Sequence, residues 1–176
     1  MLAKSARIIG GAGVVVLSFW ITLKVLEYLH SEAAGPSRTI TCRIPLGAQL
    51  PEPGQAVPVV TIGESGRADV VFLRNDGKQV FLGIDDWGLD HKERAIDSEG
   101  IRNGVLNIVA DYSHNVLTVS LGQQEALRRS GPLSSTFTKD KITIGKNQIG
   151  YPGISPAFPA VLQQAGATCE ARDSSR

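Results

Sequence analysis

The sequence predicts an all-β protein, an antiparallel β-sandwich preceded by one transmembrane helix. Three observations predict it. An apolar run, residues 8–23, carries no charge and follows a basic start. Behind it, short β-branched or aromatic segments alternate with turns rich in Gly, Asn and Asp. No amphipathic pattern of ordinary helix length occurs after that run.

The amino end reads Met-Leu-Ala-Lys-Ser-Ala-Arg before the apolar run begins. Lys24 interrupts the run, and Val25, Leu26, Tyr28 and Leu29 resume it. As a helix, residues 8–29 would extend about 33 Å, against a bilayer core of about 30 Å. Lys24 near one end can snorkel to the headgroups, and Trp20 and Tyr28 suit the interface. Lys4 and Arg7 precede the span, and Glu27 and Glu32 follow it. This asymmetry places residues 1–7 in the cytoplasm and the body outside it, as a single-pass protein. Two readings compete: a signal anchor, and a cleaved signal peptide with Ser31-Glu32-Ala33 as a small-x-small site. Lys24 and Glu27 lie between the apolar run and that site, which favours the anchor. A buried helix of a soluble protein is the third reading, against which the basic start and uncharged run both speak.

Residues 30–38 read as a linker, residues 39–170 as the β-domain, and residues 171–176 as a disordered tail. Strands are expected at 39–46, 57–63, 68–74, 79–85, 105–112, 116–121 and 141–145, with a last apolar piece at 158–162. Leu106, Ile108, Ala110 and Tyr112 share one face, opposite Asn107 and Asp111. Leu117, Val119 and Leu121 oppose Thr118 and Ser120, and Ile142 and Ile144 oppose Thr143. This period of two marks half-buried strands. Asn75-Asp76-Gly77 and Ser113-His114-Asn115 read as hairpin turns, and Gln123-Gln124-Glu125 as the start of another.

The formal net charge is +1, and removing Lys4, Arg7, Lys24, Glu27 and Glu32 leaves the body neutral. That argues against a nucleic-acid partner, which requires a basic face. Two Cys are too few for a closed four-ligand zinc site. Outside the cytoplasm a Cys42–Cys169 disulfide is permitted, and the first and last strands of a sandwich can be neighbours. Two unrelated thiols are the alternative.

The densest polar stretch is Asp85-Asp86-Trp87-Gly88-Leu89-Asp90-His91. Asp85, Asp86, Trp87 and His91 are ligand-binding candidates. Carboxylates are hard oxygen donors that suit calcium, and Trp offers an apolar face to a sugar ring. The plainer reading is a solvated loop with Trp87 over the sandwich edge. Asn147 and Tyr151, beside Lys146, form a second candidate rim, although an Asn there also suits the backbone of a turn. His114 reads as part of a solvated turn.

One stretch reads Gly104-Val-Leu-Asn-Ile-Val-Ala-Asp-Tyr-Ser-His-Asn-Val-Leu-Thr-Val-Ser-Leu-Gly, and Ile142-Thr-Ile-Gly-Lys-Asn-Gln-Ile-Gly follows. These segments resemble the concanavalin A-like, laminin-G-like jelly rolls, in which an alternating strand, Asp-Tyr, a turn and Leu-x-Val-x-Leu-Gly form a strand pair. Thr61-Ile-Gly-Glu-Ser-Gly and Ile84-Asp-Asp-Trp-Gly fit early strands of that fold. Here Leu121 runs directly into Gly122, without the Asp of the usual hairpin. The resemblance implies a lectin-like domain that binds a glycan or an envelope protein without transforming it, here behind the anchor read from residues 8–29. An accessory domain packed against a larger membrane complex is the alternative.

The glucanase members of that superfamily carry Glu-x-Asp-x-x-Glu, which is missing here; Glu93, Asp97 and Glu99 do not fit the spacing. Gly63-Glu64-Ser65-Gly66-Arg67 approximates a nucleophile elbow but ends in Arg. No phosphate loop, His-Glu-x-x-His or Cys-x-x-Cys occurs. No catalytic residue is therefore nominated, and a glycoside hydrolase is a minor reading. No cofactor is expected beyond possible calcium.

Overall fold

The computed structural model describes residues 38–87, 90–102, 104–135, 137, 139–155 and 166–173, all within the unit Pro36–Arg176. The β-branched segments form strands β1 (Arg38–Pro45), β2 (Ala56–Glu64), β3 (Arg67–Asn75), β4 (Val80–Asp86) and β5 (His91–Ile96). A one-turn helix α1 (Ser98–Ile101) follows, capped by Asp97, whose Oδ1 accepts from the Glu99 amide. Then come β6 (Val105–Asp111), β7 (Val116–Leu121), β8 (Gln124–Ser130), β9 (Ile142–Ile144) and β10 (Thr168–Asp173). They make two five-stranded antiparallel sheets, ordered β10-β1-β6-β7-β8 and β5-β4-β3-β2-β9.

The two sheets form a sandwich. Ile40, Cys42 and Ile44 of β1, Leu106 and Ile108 of β6, and Leu117 and Val119 of β7 are buried in one core with Val71, Leu73, Leu82 and Ile84. The alternation in 105–112 and 116–121 is thus the alternation between core and exterior. Strands β2, β3 and β4 are nearly continuously buried, because chain also covers part of their outer face.

Turn chemistry sets the hairpins. Asn75 Oδ1 accepts from the Gly77 amide, and Asp76 Oδ1 accepts from the Lys78 and Gln79 amides. Those two backbone bonds hold the Asp76 carboxyl below its ordinary range. Gly63 has φ 117°, and a Cβ there would stand 2.3 Å from the Arg67 carbonyl oxygen. Gly63–Arg67 is accordingly a hairpin between β2 and β3.

Three strands lie outside the expected set: β5, β8 and β10. Their sequences are polar and they sit at sheet edges, paired on one side. Strand β10 corrects the expected tail, since Ala171, Arg172 and Asp173 pair with Ile40, Thr39 and Arg38. The same pairing takes Arg38 from the expected linker into β1. Cys42 stands opposite Cys169 in that ladder, and the two are joined as a disulfide. The expected strand at 158–162 and the expected span at 8–29 lie outside the described residues. Among the described residues, no helix is long and apolar enough to cross a membrane.

Candidate functional site

The outer face of the second sheet carries the site. Alternation along β3 turns Val70, Phe72 and Arg74 outward, while Val71 and Leu73 enter the core. On β4, Gly83 and Asp85 share this outer face, and on β5 so do His91 and Glu93. The register sets Phe72 opposite Gly83, Gly83 opposite Glu93, and Asp85 opposite His91. Gly83 is required by the ring above it: a Cβ there would lie 2.2 Å from Phe72 Cζ. Phe72 in turn meets the His91 ring at a centroid distance of 5.6 Å.

One segment walls the face. After β9 the chain turns at Gly145 and crosses back, and Ser155 N donates to Ala56 O at 2.8 Å. Ile154, Ile149 and Tyr151 pack on Val70 and Phe72, forming a second small core outside the sandwich. Asn147 holds this segment in shape. Its Oδ1 accepts from Tyr151 N at 2.7 Å, and its Nδ2 donates to Tyr151 O at 2.8 Å and Ile154 O at 3.0 Å. At the end of β4, Asp86 N donates to Asp90 O at 3.1 Å. Trp87, directly after Asp86, has φ 46°, a left-handed conformation that strains a bulky side chain by about 1–3 kcal/mol. There its ring meets Tyr151 edge to face, centroids 5.4 Å apart.

Beside the Tyr151 segment is a shallow pocket of about 200 Å³, lined by Phe72, Arg74, Asp85, His91, Glu93 and Tyr151 among others. Its polar groups form a cross-strand row. Asp85 Oδ2 is 2.8 Å from His91 Nδ1, and His91 Nε2 is 3.4 Å from Glu93 Oε1. Arg74 donates to Glu93 through Nε at 2.8 Å and Nη2 at 2.5 Å. Those bonds hold the Glu93 carboxyl below its usual range against the opposing effect of burial, and they raise Arg74. The Asp85 side chain is 6% exposed and that of His91 51%, so the row is anchored from below and presented from above.

Asp86 faces the other way. Inside the sandwich, Arg129 of β8 is 2% exposed; it donates Nη1 to Asp86 Oδ2 at 2.6 Å and Nη2 to Asp69. Asp69 also accepts from the Ser135 amide and hydroxyl, and Tyr112 shares a 2.7 Å hydrogen bond with Ser135. Burial pushes the Tyr112 phenol up to about 12, and burial also raises Asp86, against the pull of Arg129. Among the described residues, Asp86 Oδ1 and Arg129 Nε are buried and find no hydrogen-bond partner.

Of the residues nominated from sequence, Asp85, Trp87, His91 and Tyr151 meet on this face, and Asn147 shapes the segment that bears Tyr151. Asp86 is corrected to the interior: one step along a strand reverses the side chain. Asp85 and Asp86 therefore do not converge on one calcium ion. Among the described residues, no three His, Cys, Asp or Glu side chains are grouped to hold a metal. Phe72, Arg74 and Glu93 were missed. Glu93 had a signal, since it follows His91 by two residues and so shares its face once β5 is recognised as a strand.

No family model and no curated protein matches the chain. Among solved structures, it is similar to the CBM40 of Ruminococcus gnavus IT-sialidase bound to alpha2,3 sialyllactose. That match has a TM-score of 0.46 and 10% identity, over 81% of this chain and 78% of that one. It is also similar to the receptor binding domain of botulinum neurotoxin C/D mosaic serotype, at a TM-score of 0.37 and 8% identity. There 62% of this chain and 31% of that one are covered.

Proposed function

We propose that this protein is a lectin-like jelly-roll module that binds a glycan, without transforming it, in the pocket between Tyr151 and the Asp85–His91–Glu93–Arg74 row. One observation carries the reading. The rings of Phe72 and Tyr151, from two separate segments, and a fixed row of hydrogen-bonding groups converge on one small surface pocket. A sugar ring has a C–H face that packs on an aromatic side chain and hydroxyls that need oriented partners. The pocket has room for about one such ring, in keeping with its size below that of drug-sized sites. The polar groups are already paired across strands, an arrangement that holds them still for a ligand.

The reading includes a tether at residues 8–29 and an extracytoplasmic domain. The uncharged run behind a basic start supports the tether, and the Cys42–Cys169 bridge supports an oxidising compartment. No metal is part of the reading, because Asp85 and Asp86 point to opposite sides of the sheet. The test is a glycan array probed with the full chain, with calcium or with EDTA. Binding is expected in both, and Tyr151→Ala should weaken it by about tenfold or more while the far-ultraviolet circular dichroism is unchanged. A silent array, or full binding by Tyr151→Ala, would overturn the reading.

A further inference from the structure

Resting on that reading, we propose that the pocket selects an uncharged sugar ring and turns away rings that bear a carboxylate or phosphate. The charged groups among its described lining residues are Arg74, Asp85 and Glu93, with His91 joining them only when protonated. A site for an anionic sugar needs a cation free to face it. Arg74 is engaged on its edge and on its face. Its Nε and Nη2 both donate to Glu93, and the Phe81 ring lies 4.4 Å from the guanidinium carbon. Glu93 is held in its charged form by the same contact. An incoming anion would have to displace Glu93 from Arg74 and would then stand beside two carboxylates.

The other two cations of β5 face elsewhere. Lys92 and Arg94 alternate with His91 and Glu93 on β5, and Arg94 Nη1 donates to Ala126 O of β8 at 3.1 Å. With neutral imidazole, the lining carries two negative charges against one positive. Carboxylate oxygens accept from hydroxyls, and a neutral ring offers hydroxyl donors on one side and a C–H face for Tyr151 on the other. Exclusion here works through repulsion between the incoming anion and these carboxylates, not through shape.

The experiment uses the full chain and an array of matched glycans, each present as a neutral sugar and as its uronic-acid or phosphorylated counterpart. The wild type is expected to bind neutral members and to disfavour the acidic member of each pair by about tenfold or more. Glu93→Gln removes one carboxylate and releases Arg74, so the acidic-to-neutral affinity ratio should rise by about tenfold, with circular dichroism reporting an intact fold. Wild-type preference for acidic members, or an unchanged ratio in Glu93→Gln, would overturn the charge selection and leave glycan binding standing. Absence of binding to every member would overturn the glycan reading itself.

Discussion

Asp85 and Asp86 are consecutive in β4, yet their carboxylates serve opposite sides of one sheet. Asp85 Oδ2 lies 2.8 Å from His91 Nδ1 on the outer face, and Asp86 Oδ2 lies 2.6 Å from Arg129 Nη1 between the sheets. The pleat alone produces this separation, and it divides the acidic pair into a group that anchors His91 beneath the pocket and a group that holds Arg129 between the sheets.

Substitution should separate the two roles. Asp85→Asn is expected to weaken glycan binding and to shift stability by no more than about 1 kcal/mol, as befits a pair whose imidazole is half exposed. Asp86→Asn should leave binding unchanged and alter the pH dependence of unfolding. Burial raises Asp86 in the folded state, so the native protein holds that proton more tightly than the unfolded chain does. The stability linked to it is present below the ordinary carboxylate range and is lost as pH rises through the raised folded value. Asp86→Asn should remove this decline, which urea unfolding at a series of pH values would measure.

Arg129→Met should be the most damaging of these changes. The guanidinium is the shared partner of Asp69 and Asp86 across the two sheets. Its loss leaves two buried carboxylates without their cation, at a cost of about 3–5 kcal/mol. Denaturant titration of Arg129→Met against wild type provides the comparison. A loss under about 1 kcal/mol would mean that the triad adds little to holding the sheets together.

Gly83→Ala tests how the floor of the pocket is built. The new Cβ would meet Phe72 Cζ at 2.2 Å, and Phe72 is buried at 3% exposure beneath Ile154 and Tyr151. The ring must shift, at about 1–3 kcal/mol, and His91 and Tyr151 shift with it. Thermal unfolding and glycan affinity should therefore fall together, although Gly83 itself has no side chain to offer a ligand.

The Cys42–Cys169 bridge joins β1 to β10 and spans 127 residues of sequence. Replacing both cysteines with Ala should lower stability by about 2–4 kcal/mol. Among the described residues, strand β10 pairs only with β1, so amide hydrogen exchange should accelerate there before it does in β6 and β7.

The sequence by itself determined the class of this domain. Alternation in 105–112 and 116–121 and the turn residues at 75–77 and 113–115 relate near neighbours along the chain, and that relation survives any arrangement of the sheets. It also nominated Asp85, Trp87, His91 and Tyr151 as candidates by residue type. It could not separate Asp85 from Asp86, because that requires knowing which face of β4 meets a core. Strands β5, β8 and β10 left little pattern, since their sequences are mostly polar and each pairs on one side at a sheet edge. The meeting of Trp87 with Tyr151, of Arg74 with Glu93, and of Arg129 with two carboxylates was decided by tertiary structure alone. Each depends on strand register and on a return crossing of the chain, long-range relations that no local period encodes.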